Sequence, residues 1–283
     1  MTGAGLFVGL ATLDVVQLVD GLPSTNEKTT AAQTWLAAGG PAAVAAIAFA
    51  ALGGRARLWT ALGQAPAARL AAADLAGAGV EVIDVAPPGF ELAVSTVFVD
   101  AGSGERAVVS GSGHTPALGK IAGPDLTGID VVLVDGHHPA LARSAALAAG
   151  GVPVVVDAGS HKPVFDDIFA FSTDVICSAD YVHPDWLGAR ALLARGPRLV
   201  AVSHGGEALR WWTASASGSI EPEPVTPVDT TGAGDVLHGA YCHSLATGLD
   251  RVPALERAVA VATERVRHLG PFAWRTAIAR SGG

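Results

Sequence analysis

The sequence predicts an α/β fold: a mainly parallel sheet covered by helices on both faces. Two observations carry this expectation. Short apolar runs rich in Val, Ile and Leu alternate with longer alanine-rich stretches, the pattern of strands buried on both sides and joined by crossover helices. Half of the 283 residues are hydrophobic and only 16% are charged, a composition that fills a sizeable core.

Taken in order, residues 6–10 read as the first buried strand and residues 41–52 as a helix with Pro41 at a tolerated first-turn position. Residues 57–61, 131–135, 152–157, 175–177 and 198–203 read as further strands. Several end on a polar residue. In an open α/β sheet ligands bind beyond the carboxyl ends of the strands, so Asp135, Asp157 and Ser203 are expected to look toward one crevice. Two stretches break the pattern: residues 22–35 are polar and threonine-rich, and residues 92–110 read as a hairpin turning at Gly102-Ser103-Gly104. Together they are expected to form a small sheet that projects as a lid from a single domain spanning residues 1–283.

The net charge of -8 argues against a duplex nucleic-acid partner, which requires a basic face. Cys177 and Cys242 form no CxxC, and no His/Cys cluster has zinc spacing, so a reducing, cytoplasmic setting is expected. The apolar opening stretch lacks a basic leader region and is cut short by Asp14. The longest apolar run, residues 41–52, falls short of the roughly 20 residues a membrane span needs, so no membrane partner is expected. The positive mean hydropathy reflects abundant alanine.

The segment that carries chemistry is Asp229-Thr230-Thr231-Gly232-Ala233-Gly234-Asp235, followed by a helical run that stops near Gly248. Glycine at 232 and 234 lets successive backbone N–H groups converge, and the helix dipole adds positive charge there, so the turn reads as an anion site. Asp235 lies in the first helical turn, where phosphate oxygens would also sit. Two roles are open to it from spacing alone: an ordinary helix-start acid, or a proton acceptor in phosphoryl transfer, where the protein mostly positions groups and stabilises charge. Gly119-Lys120 lacks the spaced upstream glycine of a Walker loop, and Gly3-Ala4-Gly5 precedes its strand, so neither a P-loop nor a dinucleotide fingerprint is present. His137-His138 falls at a strand end, and His137 is a candidate substrate contact.

Asp-Thr-x-Gly-Ala-Gly-Asp at a helix start closely resembles the C-terminal signature of the ribokinase-like, PfkB-type carbohydrate kinases. The resemblance runs from Gly9 to about Gly270, and the stretch from Asp14 to Pro23 with Gly39-Gly40-Pro41-Ala42-Ala43 is similar to sulfofructose kinases and ketohexokinase-like members. It implies a three-layer α/β/α domain with a β-sheet lid, ATP and Mg2+ as cofactors, and a sugar or sugar-like alcohol as substrate. By the same resemblance Asp235 is the catalytic base, with Gly232, Ala233 and Gly234 completing an anion hole. Asp14, Gly39 and Gly40 match substrate-binding positions, and Arg106 in the lid is a further candidate. Ser203 and Gly205 match a segment near the nucleotide, and Lys162 matches a lysine that reaches phosphate in some members. Asp229 and the Thr231 carbonyl match positions that hold a monovalent cation, K+, with the loop before Gly270 as the other half.

The departures concern the substrate and magnesium ends. Val44 stands where the resemblance implies a sugar-binding asparagine. Gly63-Gln64-Ala65-Pro66 replaces an acidic segment, and Ser178-Ala179-Asp180-Tyr181 replaces an Asn-x-x-Glu motif, which leaves Ser178 near the nucleotide and Asp180 as a water-mediated Mg2+ contact. Nucleoside and phosphosugar kinases, and a non-catalytic sugar or nucleotide sensor on the same fold, are the alternative readings. Exposed lid strands offer edges for pairing, so a homodimer is expected.

Overall fold

The structure is a computed structural model, and it describes residues 2–111, 118–119, 121–184 and 188–281. The chain runs β1 (Ala4–Val8), β2 (Thr12–Val19), β3 (Gln33–Gly39), α1 (Pro41–Ala51), β4 (Arg55–Thr60), α2 (Pro66–Gly77), β5 (Val80–Asp84), β6 (Val94–Asp100) and β7 (Arg106–Ser110). It continues through β8 (Val131–Val134), α3 (Pro139–Ala148), β9 (Val154–Ala158), α4 (Val164–Ile168), β10 (Asp174–Ser178), α5 (Ala189–Leu193) and β11 (Leu199–His204). The last elements are β12 (Glu207–Thr213), β13 (Ser217–Ile220), α6 (Ala233–Ala246), α7 (Arg251–Val266) and α8 (Ala273–Ser281).

Nine strands form one sheet in the order β13-β12-β11-β10-β9-β8-β1-β4-β5. From β11 to β5 every pairing is parallel, and β12 and β13 close one edge antiparallel. One apolar face packs against α1, α2, α6, α7 and α8, and the other against α3, α4 and α5. Alternate residues of β1 divide between the two: Phe7 joins the first core, Leu6 and Val8 the second. That is the three-layer arrangement expected of near-continuous apolar strands. No helix among the described residues is long and apolar enough to cross a membrane.

The lid differs in its parts from the expectation. A second sheet, ordered β3-β2-β6-β7, has its own small core of Val16, Leu18, Val97 and Val99, with Trp35 packed against it. The 92–110 hairpin is present as β6 and β7. Within residues 22–35, however, only Gln33 to Trp35 are strand; the rest is irregular and includes Asn26 in the left-handed region, a conformation asparagine tolerates. The polar, threonine-rich composition marked a loop. In the main sheet β5, β12 and β13 were not foreseen, and in the lid the unforeseen strand is β2, central to it: Asp14 interrupts its hydrophobic run, and the residue reads as a turn until the alternation of Val16 and Leu18 into the lid core is seen. The foreseen strands of the main sheet are all present with ends shifted by one or two residues.

What positions the site is the contact between α1 and α6. Seven buried residues of α1 are Ala42, Ala43, Ala45, Ala46, Ile47, Ala48 and Phe49, so its surface is low and a second helix can approach closely. Gly239 completes the approach, since a Cβ there would lie 2.3 Å from the Ala45 carbonyl oxygen. A glycine inside a helix costs about 1 kcal/mol relative to alanine, and here the close contact offsets it. Gly239→Ala should therefore destabilise the protein by about 1–3 kcal/mol through overpacking, despite its higher helix propensity. Thermal unfolding followed by circular dichroism checks this; an unchanged or higher midpoint would contradict it.

Candidate active site

Close packing of α1 and α6 brings two helix N-termini together, one preceded by Gly39-Gly40 and the other by Thr231-Gly232. Gly232 is the N-cap of α6 and has φ 70°, a left-handed conformation open to glycine at no steric cost. The Ala233 N–H donates to the Thr230 carbonyl at 3.3 Å and the Val236 N–H to the Gly232 carbonyl at 2.9 Å. Between them, the N–H groups of Gly234 and Asp235 meet no protein acceptor among the described residues. Two unpaired donors at a dipole's positive end can receive an anion.

Asp14, Val44, Thr231 and Gly232 line one cleft, with Trp274 and Arg275 on its far wall. Asp14 is the third residue of β2, not a strand-end turn. Gly39 makes room for it: a Cβ at that position would fall 2.0 Å from the Asp14 carboxylate. Thr12 donates to Asp14 at 2.6 Å, and burial pushes the Asp14 carboxyl above its ordinary range while the Thr12 and Ser95 hydroxyls oppose the rise. Val44 lies against Gly232, its Cγ1 3.4 Å from where a Cβ would be, so the departure foreseen in the sequence does face the cleft. A roomier groove is lined by Glu221, Glu223, Glu256 and Arg267, but none of the predicted site residues reaches it.

The lid reaches the same turn. The Gly104 carbonyl accepts from the Thr230 N–H at 3.0 Å and the Thr230 hydroxyl at 3.1 Å, and Arg106 Nη1 lies 3.4 Å from the Thr230 carbonyl.

At the carboxyl ends of the sheet the predicted residues divide. Asp135 is fully buried and its oxygens accept the N–H groups of Leu10 at 2.8 Å, Ala42 at 3.2 Å and His137 at 2.9 Å. Contrary to the expectation that it would look into the crevice, it is consumed in joining β1, β8 and the start of α1. His137 follows it without lining the cleft of Asp14 and Gly232; burial lowers its imidazole pKa, partly offset by Asp135. Ser178 and Ser203 are register partners at the ends of β10 and β11, and Gly205 (φ 61°) turns the chain just beyond, with open space around it. The Ser203 hydroxyl donates to the Cys177 carbonyl at 3.3 Å, and the Ser178 hydroxyl accepts from the Asp180 N–H at 3.2 Å. Lys162 reaches the Ser160 carbonyl at 3.4 Å, with its stem over the Gly136 turn. Elsewhere, His161, Asp166 and His183 offer ligand atoms within 4.8 Å of one another, but Asp166 is already engaged by His183 and Arg195.

Sequence reasoning missed two neighbours of the turn. His238 is one helical turn beyond Asp235; its Nδ1 lies 2.7 Å from the Gly234 carbonyl, and its Nε2 3.3 Å from the Ile176 carbonyl and 3.6 Å from Asp157. The i,i+3 spacing to Asp235 was the available signal. Asp157, expected from its strand end to look toward the crevice, lies beside His238 and close enough to raise Asp235. Arg265 is 2% exposed. It donates to the Asp229 carbonyl at 3.2 Å, to Asp229 Oδ2 at 3.1 Å and to the His268 carbonyl at 2.7 Å. Its place seven residues after Ala258, on the buried stripe of α7, could have exposed it. The oxygens of Asp229 expected to hold K+ are thus taken by a guanidinium, and they do not fit a metal as well.

Asp235 is the most perturbed acid of the site. Burial, and next the Asp157 carboxylate, push its pKa up to about 7, while His238 and Arg106 pull it down. Protein surrounds the carboxyl, while the residue as a whole keeps some exposed surface. The sign for stability follows directly. Between the unfolded value of 3.8 and the folded value near 7 the native state holds the proton that the unfolded chain releases, so this acid makes stability fall as pH rises through that window. Asp235→Asn removes the dependence. Its stability relative to the parent should climb from about pH 4 to about pH 7 and then level off, as urea unfolding over a pH series would measure; a difference constant with pH would contradict the shift.

Comparison with known proteins bears on the family and the fold. Residues 6–162 and 186–274 match the model of the pfkB family carbohydrate kinases. A structure assigned as a ribokinase from Agrobacterium tumefaciens is 25% identical, superposes with a TM-score of 0.83, and is matched over 100% of this chain and 98% of its own. Arabidopsis thaliana ribokinase complexed with ribose and ATP (20% identity, TM-score 0.78, 100% and 99% covered) shares the fold. So does a fructokinase with bound ATP from Xylella fastidiosa (20%, 0.78, 100% and 98%). No curated protein matches the chain by sequence. On the family match and the ribokinase-like fold together, the chain belongs to the pfkB family of carbohydrate kinases and is a phosphotransferase with an alcohol group as acceptor.

Proposed function

We propose that this protein transfers the γ-phosphoryl group of ATP to a hydroxyl of a sugar or sugar-like molecule, with Asp235 as general base and the Gly232–Asp235 turn as anion hole. The observation that carries the reading is a cleft lined by the half-buried Asp14 carboxylate, able to hold hydroxyls, and by Thr231 and Gly232, which lead into the helix start that bears two unpaired N–H groups and a second carboxylate in its first turn. Asp14 accepts hydrogen bonds from the sugar and aims one hydroxyl at the turn. Gly39 and Gly40 let the sugar lie close against backbone. Asp235 takes the proton of that hydroxyl as its oxygen bonds to phosphorus, and the Gly234 and Asp235 N–H groups meet the charge on the phosphoryl oxygens. Arg106, held over Thr230 by the lid, adds positive charge to the same centre.

The nucleotide lies across the ends of β9 to β11, over Ser178, Ser203 and the Gly205 turn, with Lys162 as a point charge for phosphate. Mg2+ would neutralise the phosphate charge; Asp157 has a carboxylate beside Asp235 that suits it, and Asp180 is an exposed carboxylate able to act through water, in keeping with a cation that retains much of its hydration. A phosphosugar is disfavoured, because Arg275 at the far wall is already paired with Asp74 at 2.7 and 2.9 Å.

If Asp235 is the base, Asp235→Asn should lower kcat by about 10²- to 10⁴-fold, while sugar binding measured by calorimetry is retained. In the parent, kcat/KM should drop about tenfold per pH unit below its folded pKa of about 7, since only the ionised carboxylate accepts a proton. ADP release across a panel of ketoses, aldoses and nucleosides measures both. Near-normal turnover by the variant removes the assignment, and silence of the parent despite sugar binding favours a sensor.

The lid leaves β3 and β7 as sheet edges, with Leu36 49%, Val108 51% and Val109 68% exposed, and this supports pairing of two copies through their lids. Light scattering at micromolar concentration should return the mass of a dimer, and Val109→Lys should shift it toward the monomer; a monomeric parent excludes this assembly.

A further inference from the structure

The site expected to hold a monovalent cation holds an arginine side chain instead. A K+ site needs inward-facing oxygens that are not otherwise engaged. Here the Asp229 carbonyl, Asp229 Oδ2 and the His268 carbonyl all accept from Arg265, and the two carboxylate oxygens also accept the N–H groups of Thr231 at 2.8 Å and Gly270 at 3.0 Å. The guanidinium is closed in, with Trp274 covering it at 5.8 Å from the ring centroid. It spreads one positive charge over a planar fork of donors, matching a set of oxygens that a spherical ion would otherwise gather.

We propose that Arg265 is the built-in cation of this site and that the protein works without a bound monovalent metal. An incoming K+ would meet a like charge that cannot leave, because the guanidinium is tethered to α7 and stays protonated. The consequence reaches the site by a short path. Arg265 fixes Asp229, Asp229 fixes the Thr231 N–H, and the next residue is the left-handed Gly232 whose conformation aims the unpaired N–H groups. Arg265 is therefore a positioning residue, and its charge is present at every salt composition.

The effect on turnover rests on reading the Gly232–Asp235 turn as the phosphate end of a kinase site, whereas the effect on folding does not. The test uses the full chain in choline, sodium and potassium chloride at equal ionic strength, about 0.1 M, with thermal unfolding as one readout and ADP release with a sugar substrate as the other. The parent should melt at the same temperature in all three salts, within about 1 °C, and turn over at the same rate. Arg265→Met leaves the Asp229 oxygens without a counter-charge. It should melt lower and turn over several-fold more slowly in choline, and then gain several degrees in potassium, because an ion that binds only the native state raises its stability. Potassium-specific stabilisation or activation of the parent would overturn the proposal, and so would an Arg265→Met protein that melts identically in all three salts. Should that variant fail to fold, the parent's behaviour across the salts still decides. A parent that phosphorylates no sugar sinks the kinase reading but leaves the melting comparison intact.

Discussion

One carboxylate with no exposed surface holds the centre of this molecule. Asp229 precedes the glycine-rich turn, and its oxygens collect donors from three places: the Thr231 N–H within the turn, the Gly270 N–H in the loop before α8, and the Arg265 guanidinium at the end of α7. Burying an ion pair costs desolvation on both sides, and replacing such a pair with apolar residues is often neutral for stability. The return lies in geometry. Three chain segments must meet for either charge to be satisfied, so the turn has one arrangement instead of several.

The same turn is tied to the remainder of the fold by two contacts of different kinds. On the inner side, Gly239 seats α6 against Ala45 of α1, so the two helix starts approach through apolar packing. On the outer side, Gly104 accepts both the N–H and the hydroxyl of Thr230. Among the described residues the lid core contains only four buried side chains, far fewer than either core of the main sheet. The lid is also anchored through Leu13 and Ala38, which join the main core, and through the Ala38 N–H bond to Asp74 of α2, so its contact with the turn adds to a seat already fixed by packing.

Legibility in the sequence followed the type of interaction. The parallel sheet was readable because a strand buried on both faces must be apolar along its length, and each such run was found within a residue or two. The glycine-rich turn was readable because its demands are local: a left-handed residue, a helix start, an acid in the first turn. The lid was half readable. Its hairpin announces itself by glycines, but β2 carries Asp14, and that acid hides the alternation that makes it a strand. The buried charges were not readable. Asp135 looks like a site residue until its three backbone partners are seen, and Arg265 looks like a surface arginine on an amphipathic helix until Asp229 is placed beside it. Both depend on contacts between residues far apart in the chain, which no local pattern encodes.

Two carboxylates, Asp14 in the wall of the cleft and Asp235 in the first turn of α6, differ in their surroundings. Asp14 is raised by burial but steadied by the fixed hydroxyls of Thr12 and Ser95, neighbours that are part of the lid sheet itself and do not change with its position. It is suited to hold hydroxyls. Asp235 is raised by burial and by Asp157, and lowered by His238 and by Arg106. Of these, Arg106 alone belongs to the lid. Arg106 brings the lid's positive charge near Asp235 and favours the ionised carboxylate, against burial and Asp157, which favour the protonated form. On the proposed reading of Asp235 as the base, the lid thus supplies part of the positive charge that frees this carboxylate to accept a proton.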